Sequence, residues 1–267
     1  MRALSIMYHD VVENGNSEAS GFPGEGAHIY KLEKEDFGRH MDAIRTAIGE
    51  KPIGAVGKGP AEGECPVFLT FDDGGVSAHD LIGGMLERHS WRGHFFVTTD
   101  WIGRPGFLNA AQIRELDARG HVIGSHSCSH PTRMSYVSWE QMLHEWHGST
   151  EALRKILGKP VRVASVPGGF YSRRVGEAAA RAGIEVLFTS EPTTRVHTVD
   201  GCLILGRYMI QQGMTPEFAA GLAAGKAGPR WKQAALWEAK RVAKTLGGST
   251  YLRVRRAMLG ARKASGK

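Results

Sequence analysis

Cysteine is scarce in this chain of 267 residues. There are three, Cys65, Cys128 and Cys202, and no Cys-x-x-Cys pair. An odd number so widely spaced makes a poor disulfide framework and a poor structural zinc site. Long apolar runs are also missing. No stretch approaches the roughly 18 uninterrupted apolar residues that a membrane-crossing helix needs. The opening segment, Met1 to Asp10, has one arginine and a short apolar stretch but lacks the apolar core and cleavage site of a secretory leader. A cytoplasmic protein is the expectation. Low-complexity tracts are absent as well, since the 35 glycines cluster at turns between apolar runs. Acidic residues nearly vanish at one end. From Lys226 to Lys267 there are 12 Lys or Arg against one Glu, a net of +11 in a chain whose total is +7, which leaves −4 for residues 1–225.

What is present is a repeating alternation. Apolar, β-rich runs lie at Ala3–Tyr8, Val67–Phe71, His94–Thr98, Val122–Ser125, Val161–Val166, Glu185–Thr189 and Cys202–Leu205, each ending at polar or glycine residues. Helical segments fall between most of them. Ser77 with Asp80, Asn109 with Gln112 and Ser138 with Gln141 have the spacing of capping boxes. Gly120, Gly158 and Gly183 supply stops. Strands alternating with helices predict parallel strands joined by crossovers, in an open sheet or a barrel. A long insertion, residues 11–66, separates the first two strands. It has a Gly/Pro-rich loop at Gly21–Gly26 and a predicted helix at Glu33–Ile48, and insertions of this length usually shape the rim of a site.

Three strand ends carry chemistry. Leu69-Thr70-Phe71-Asp72-Asp73-Gly74-Gly75 runs an apolar strand into adjacent carboxylates, which repel one another and favour a cation or a shared proton. In parallel α/β folds the carboxyl ends of strands line the active site. Gly124-Ser125-His126-Ser127-Cys128-Ser129-His130-Pro131 places two histidines four apart after another strand. That spacing serves one metal if the segment coils for a turn. Cys128 between them reads as a small filler. Val163 to Tyr171 ends in a Pro-Gly-Gly loop with backbone N–H groups open to a substrate. One Asp and two His leave an open position on a metal for water, and the second Asp is free to take a proton.

The stretches TFDDG (Thr70–Gly74) and HSCSHP (His126–Pro131) resemble the first two motifs of the polysaccharide deacetylases, which share the chitooligosaccharide deacetylase homology domain. Met7-Tyr8-His9 is similar to the opening strand of many members. The resemblance covers roughly Ala3 to Ile210. It implies a deformed (β/α) barrel of about seven strands, a divalent metal (zinc ahead of cobalt or nickel), and hydrolysis of N-acetyl groups on an amino sugar. By carry-over, Asp73, His126 and His130 are the ligands and Asp72 is the general base. The third motif departs from the family. Ser165, Val166, Pro167 and Gly168 stand where an arginine that orients the base, a variable residue, a proline and a tyrosine are usual, and only the Gly168 N–H remains to hold an oxyanion. The fifth motif offers Arg207 where the family has a histidine acid. Arg207 is a candidate to orient Asp72, and His9 and His197 are candidates for the acid. Hydrolysis of another amide or ester, or a catalytically silent glycan binder, stays open.

Residues 1–215 are read as the catalytic domain and residues 216–267 as a basic helical extension. On a helical wheel Trp231, Ala235, Leu236, Ala239, Val242, Ala243 and Leu246 share one side, with Arg230, Lys240, Arg241 and Lys244 opposite. A basic amphipathic helix fits either packing on the barrel or contact with an anionic membrane surface, peripheral at its inner face. The latter would suit a lipid-linked sugar precursor modified before export of an exopolysaccharide. No base-reading motif is present, so no specific nucleic-acid partner is expected.

Overall fold

A computed structural model of the chain describes residues 1–57 and 63–239. Its strands, in chain order, are β1 (Leu4–Tyr8), β2 (Asp10–Val12), β3 (Lys31–Glu33), β4 (Val67–Phe71), β5 (His94–Val97), β6 (Val122–Ser125), β7 (Val163–Ser165), β8 (Val186–Phe188), β9 (Val196–Val199), β10 (Cys202–Leu205) and β11 (Tyr208–Met209). The helices are α1 (Glu25–His28), α2 (Lys34–Ile48), α3 (Gly83–Glu87), α4 (Ala110–Ala118), α5 (Trp139–Leu157), α6 (Arg173–Arg181) and α7 (Pro216–Ala223). Nine strands form one curled sheet in the order β11-β1-β4-β5-β6-β7-β8-β10-β9. The seven strands expected from the sequence are all present, mutually parallel, and joined by β11. Only β9 runs antiparallel, as a hairpin partner of β10. Arg2 bridges Arg195, and the Ala3 N–H reaches Thr194 O, so the two margins of the sheet approach each other. This is the deformed (β/α) barrel that the motifs implied.

Alternation along the strands decides what faces the barrel interior. Side chains two apart share a face. On β4, Val67, Leu69 and Phe71 join the layer packed under the helices, whereas Phe68 joins Ala3, Phe96, Val186, Phe188 and Leu205 in the inner cluster. Thr70 and Asp72 continue the inward row. The inner carboxylate of the site is thereby set by the period of the strand.

Cap chemistry held in part. Asn109 and Gln112 form the complete capping box of α4, Ser138 accepts from the Gln141 N–H at the start of α5, and α5 stops at Gly158 in the left-handed region, φ 71°. Ser77 caps nothing. Its hydroxyl is taken by Asp10 Oδ1 at 2.8 Å, and the segment opens as a π-helical turn, Ala78–Ile82, before α3. A buried carboxylate outcompetes a local cap for the same hydroxyl.

The insertion holds β2, β3, α1 and α2, with β2 and β3 forming a separate parallel pair. Helix α2 packs against α7, and α7 packs against β1. A helical run over residues 227–239 follows. The remainder of the expected extension, including Val242, Ala243, Leu246, Lys240, Arg241 and Lys244, lies outside the described residues. Among the described residues no helix is long and apolar enough to cross a membrane.

His94, fully buried at the start of β5, is a core histidine. Its Nδ1 faces Leu69 O at 3.3 Å and its Nε2 accepts the Val56 N–H at 2.9 Å. Burial pushes it down to about 4. The unfolded chain therefore takes up a proton first as pH falls. The stability this neutral ring supports is complete above the ordinary histidine value and is lost as pH drops toward 4. Unfolding in urea should lose roughly 2 kcal/mol from this group between about pH 6.5 and 5. A stability that is flat across that window would contradict the assignment.

Candidate active site

Asp73, His126 and His130 converge at the carboxyl ends of β4 and β6, with donor atoms all within 4.8 Å of one another. Asp73 Oδ1 is 3.4 Å from His126 Nε2 and 3.5 Å from His130 Nε2. Ligands bound tetrahedrally at about 2.0–2.1 Å stand about 3.3 Å apart, the edge of that tetrahedron. One carboxylate and two imidazoles at this separation fit a divalent ion such as zinc, and three protein ligands leave a further position open.

Two of the three donors sit on strained backbone. Asp73 has φ 76° and His130 φ 60°, in the left-handed region that ordinary residues rarely adopt. The strain has local supports. After Asp72 ends the inward row of β4, the left-handed turn at Asp73 brings a second carboxylate round beside the first. The Asp73 carbonyl accepts from Thr98 N, and Gly74 packs against Val97, where an added Cβ would be 3.1 Å from the Val97 Cα. In the histidine loop the Ser127 N–H donates to Ser125 Oγ and the His130 N–H to Ser127 Oγ.

Glu145, buried on α5, finishes that loop. Its Oε2 accepts the N–H groups of Cys128 and Ser129, each at 2.9 Å, and its Oε1 accepts the Ser129 hydroxyl at 2.6 Å. Sequence reading passed over it. The available signal was its place on the buried stripe Met142, Glu145, Trp146, Ser149, Leu153, where a charged residue needs a reason. Cys128 is a packing residue against Gly148, its thiol pushed up to about 11 by burial.

Asp72 is held by a relay of named atoms. Arg207, with no exposed surface, donates Nη1 to Asp72 Oδ1 at 2.6 Å and Nη2 to Asp72 Oδ2 at 2.8 Å. Its Nε is anchored on Thr189 O and Nη1 also reaches Thr70 Oγ1. Ser165 Oγ donates to Asp72 Oδ1 at 3.1 Å and accepts from His126 Nδ1 at 2.6 Å. With Nδ1 engaged by Ser165, Nε2 is the ring nitrogen that faces Asp73 and is placed to serve as a metal ligand. Burial alone would raise both carboxyls. Arg207 and His126 instead hold Asp72 below its ordinary value, and His126, His9 and His130 hold Asp73 well below it. Burial and the neighbouring His126 depress His130, which favours its neutral form.

The remaining sequence candidates divide. His9 follows β1 and acts electrostatically on both Asp72 and Asp73. Its ring lies 4.5 Å from that of Tyr30, and its Nδ1 is buried with no hydrogen-bond partner among the described residues. His197 is exposed on the marginal strand β9, in register with Ile204, and is not gathered into the cluster. Gly168 has φ 67°, and an added Cβ would stand 2.4 Å from Thr132 O, so the loop after His130 occupies the space a tyrosine would fill.

Aromatic rings flank the cluster. The insertion contributes Phe22, whose ring lies 5.0 Å from His130 and 4.9 Å from Trp101, with the Arg104 guanidinium 4.5 Å above Trp101. Lys31 holds this loop by donating to Ser17 O and Phe22 O, and Asp10 holds it through the Ser20 hydroxyl. In the loop beyond His130, Tyr136 is 72% exposed, 6.0 Å from Phe170 and under the Arg133 guanidinium.

Residues 60–187 match the polysaccharide deacetylase family model. The Bacillus subtilis protein YxkH is 22% identical over 215 residues, 79% of this chain and 72% of that one. The peptidoglycan-N-acetylmuramic acid deacetylase PdaA of the same organism is 30% identical over 129 residues, and the chain spans about half its length: 48% of this chain is matched against 47% of that one. The Streptococcus pyogenes deacetylase PplD, solved with acetate, superimposes with a TM-score of 0.66 at 20% identity, covering 81% of this chain and 96% of that one. That last likeness is one of fold.

Replacing Glu145 by leucine strips two buried N–H groups of their acceptor, a loss of about 1–3 kcal/mol each. Competition with a chelating dye should show zinc affinity reduced about 10- to 100-fold. Glu145→Gln, which keeps one acceptor oxygen, should retain most of it. Wild-type affinity in the leucine variant would mean that the histidine loop holds its shape without Glu145.

Proposed function

We propose that the chain is a metal-dependent hydrolase that removes N-acetyl groups from an amino sugar of a polysaccharide, an oligosaccharide or a lipid-linked precursor, releasing acetate. The observation that carries this reading is the gathering of Asp73, His126 and His130 at ligand separations with the Asp72–Arg207 pair beside them. It is supported by the deacetylase domain match and by the acetyl-sugar substrate in the name of PdaA.

Asp73, His126 and His130 would hold one divalent ion, zinc ahead of cobalt or nickel. When bound, that ion supplies Lewis-acid polarisation of the acetyl carbonyl and acidifies the attacking water. Asp72 is the base that accepts the proton from that water. Its ion pair keeps the carboxylate ionised and aimed, and Arg207 thereby does from the β10–β11 connection what the missing arginine at position 165 would do from β7. Ser165, in that arginine's place, ties the base to His126. The Gly168 N–H is the backbone donor for the carbonyl oxygen as negative charge develops on it. His9 is the acid. Protonated, it gives its proton to the sugar nitrogen as the carbon–nitrogen bond breaks, so that water and amide become acetate and free amine.

Proton transfer from a positioned acid or base contributes about 10²- to 10⁴-fold. Asp72→Asn should lose activity on N-acetylated sugar oligomers on that scale while retaining the ion, and unimpaired turnover would remove Asp72 from its role. His9→Ala should lose a comparable factor on the N-acetyl sugar yet little on an aryl acetate, whose leaving group departs without a proton. Equal losses on both substrates would assign His9 to positioning. A panel of N-acetyl, O-acetyl and N-formyl sugars, assayed after chelation and after returning zinc, decides the acyl group and the need for the ion.

A further inference from the structure

The helical run over residues 227–239 turns the unexpected side toward the barrel. Two of its inward side chains make polar contacts with the sheet. Gln233 is buried and exchanges two hydrogen bonds with the Met209 backbone, donating to the carbonyl at 2.5 Å and accepting from the N–H at 3.0 Å. It thereby caps the free margin of β11 as a neighbouring strand would. Arg230 hydrogen-bonds the Tyr208 side chain on the same margin. The apolar stripe faces away. Trp231, Ala235 and Ala239, spaced four apart, are exposed, and Leu236 adjoins them. Of the four large hydrophobic side chains exposed among the described residues, Trp231 at 74% and Leu236 at 51% are both on this helix. A helix evolved only to pack on the barrel would bury these side chains first.

The charge around the stripe says what covers it. Lys226, Arg230 and Lys232 stand against Glu238 in the described run, and the sequence continues through Lys240, Arg241 and Lys244 while Val242, Ala243 and Leu246 keep the apolar spacing. We infer that this face docks the protein on an anionic lipid bilayer, with Trp231 and Leu236 in the interfacial layer and the basic residues on the headgroups. An outward tryptophan beside lysine and arginine is the composition of an interfacial helix. Each basic residue near such a surface strengthens the attraction, and salt screens it. A second copy of the chain is disfavoured, because two segments of net +11 would be brought face to face. Nucleic acid would satisfy the charge but leave the stripe in water. The docking does not depend on the deacetylase reading.

The test uses the full chain with vesicles of mixed phosphatidylglycerol and phosphatidylcholine, or of phosphatidylcholine alone, at low and high salt. The wild type should co-sediment with the anionic vesicles and be released by salt. The double variant Trp231→Ser, Leu236→Ser, with an unchanged melting temperature and unchanged activity on a soluble substrate, should bind at least about 10-fold more weakly. Absence of binding by the wild type would overturn the inference. So would equal binding by the variant, which would reduce the contact to charge alone, or a wild-type dimer that the variant abolishes without any vesicle binding.

Discussion

The interaction on which the rest of the site depends is the buried pair between Arg207 and Asp72. Neither charge has water to stabilise it, since Arg207 is fully enclosed and Asp72 nearly so. Such a pair persists only when the geometry is good and the leftover donors and acceptors are satisfied. Here the fork is bidentate, Nε is held by Thr189 O, and Asp72 Oδ1 accepts a further hydrogen bond from Ser165. The pair is also a topological clasp. Gly206 and Arg207 carry the chain from β10, near one margin of the sheet, to β11 at the other. The passage is tight enough that a Cβ on Gly206 would be 2.3 Å from Glu191 O. The guanidinium paired with Asp72 therefore sits where the curled sheet nearly closes.

This relocation explains how a chain without the usual arginine at position 165 keeps an oriented carboxylate. The end of β7, through Ser165, and the β10–β11 connection, through Arg207, reach the same carboxylate, so a cation from the latter can serve it. Serine at position 165 is then more than a vacancy. It links the His126 ring to the Asp72 carboxylate through its hydroxyl.

Much of this was legible in the sequence. The strands stand out because parallel strands covered by helices are apolar along their length, and the Asp72-Asp73 and His126/His130 motifs fall directly at strand ends. Arg207 could be named as a candidate because it stands after an apolar strand where the resembling family has its fifth-motif histidine. The aromatic rim was not legible, since Phe22 and His130 lie far apart in the chain and meet only through the fold. The Ser77 cap was misread for the same reason: a local pattern lost to a buried carboxylate 67 residues away. Wheel geometry showed the apolar stripe of the terminal helix but not which way it would face, because that is decided by the exposed hydrogen-bonding margin of β11.

The central claim is that one carboxylate and two imidazoles hold a single ion. Zinc-edge X-ray absorption on the chelated protein after addition of one equivalent of zinc tests it directly. The expected result is one tightly bound ion with nitrogen and oxygen neighbours only, at about 2.0–2.1 Å, and multiple-scattering features of two imidazoles. A sulfur neighbour at about 2.3 Å, or zinc that remains as the hydrated ion, would contradict it.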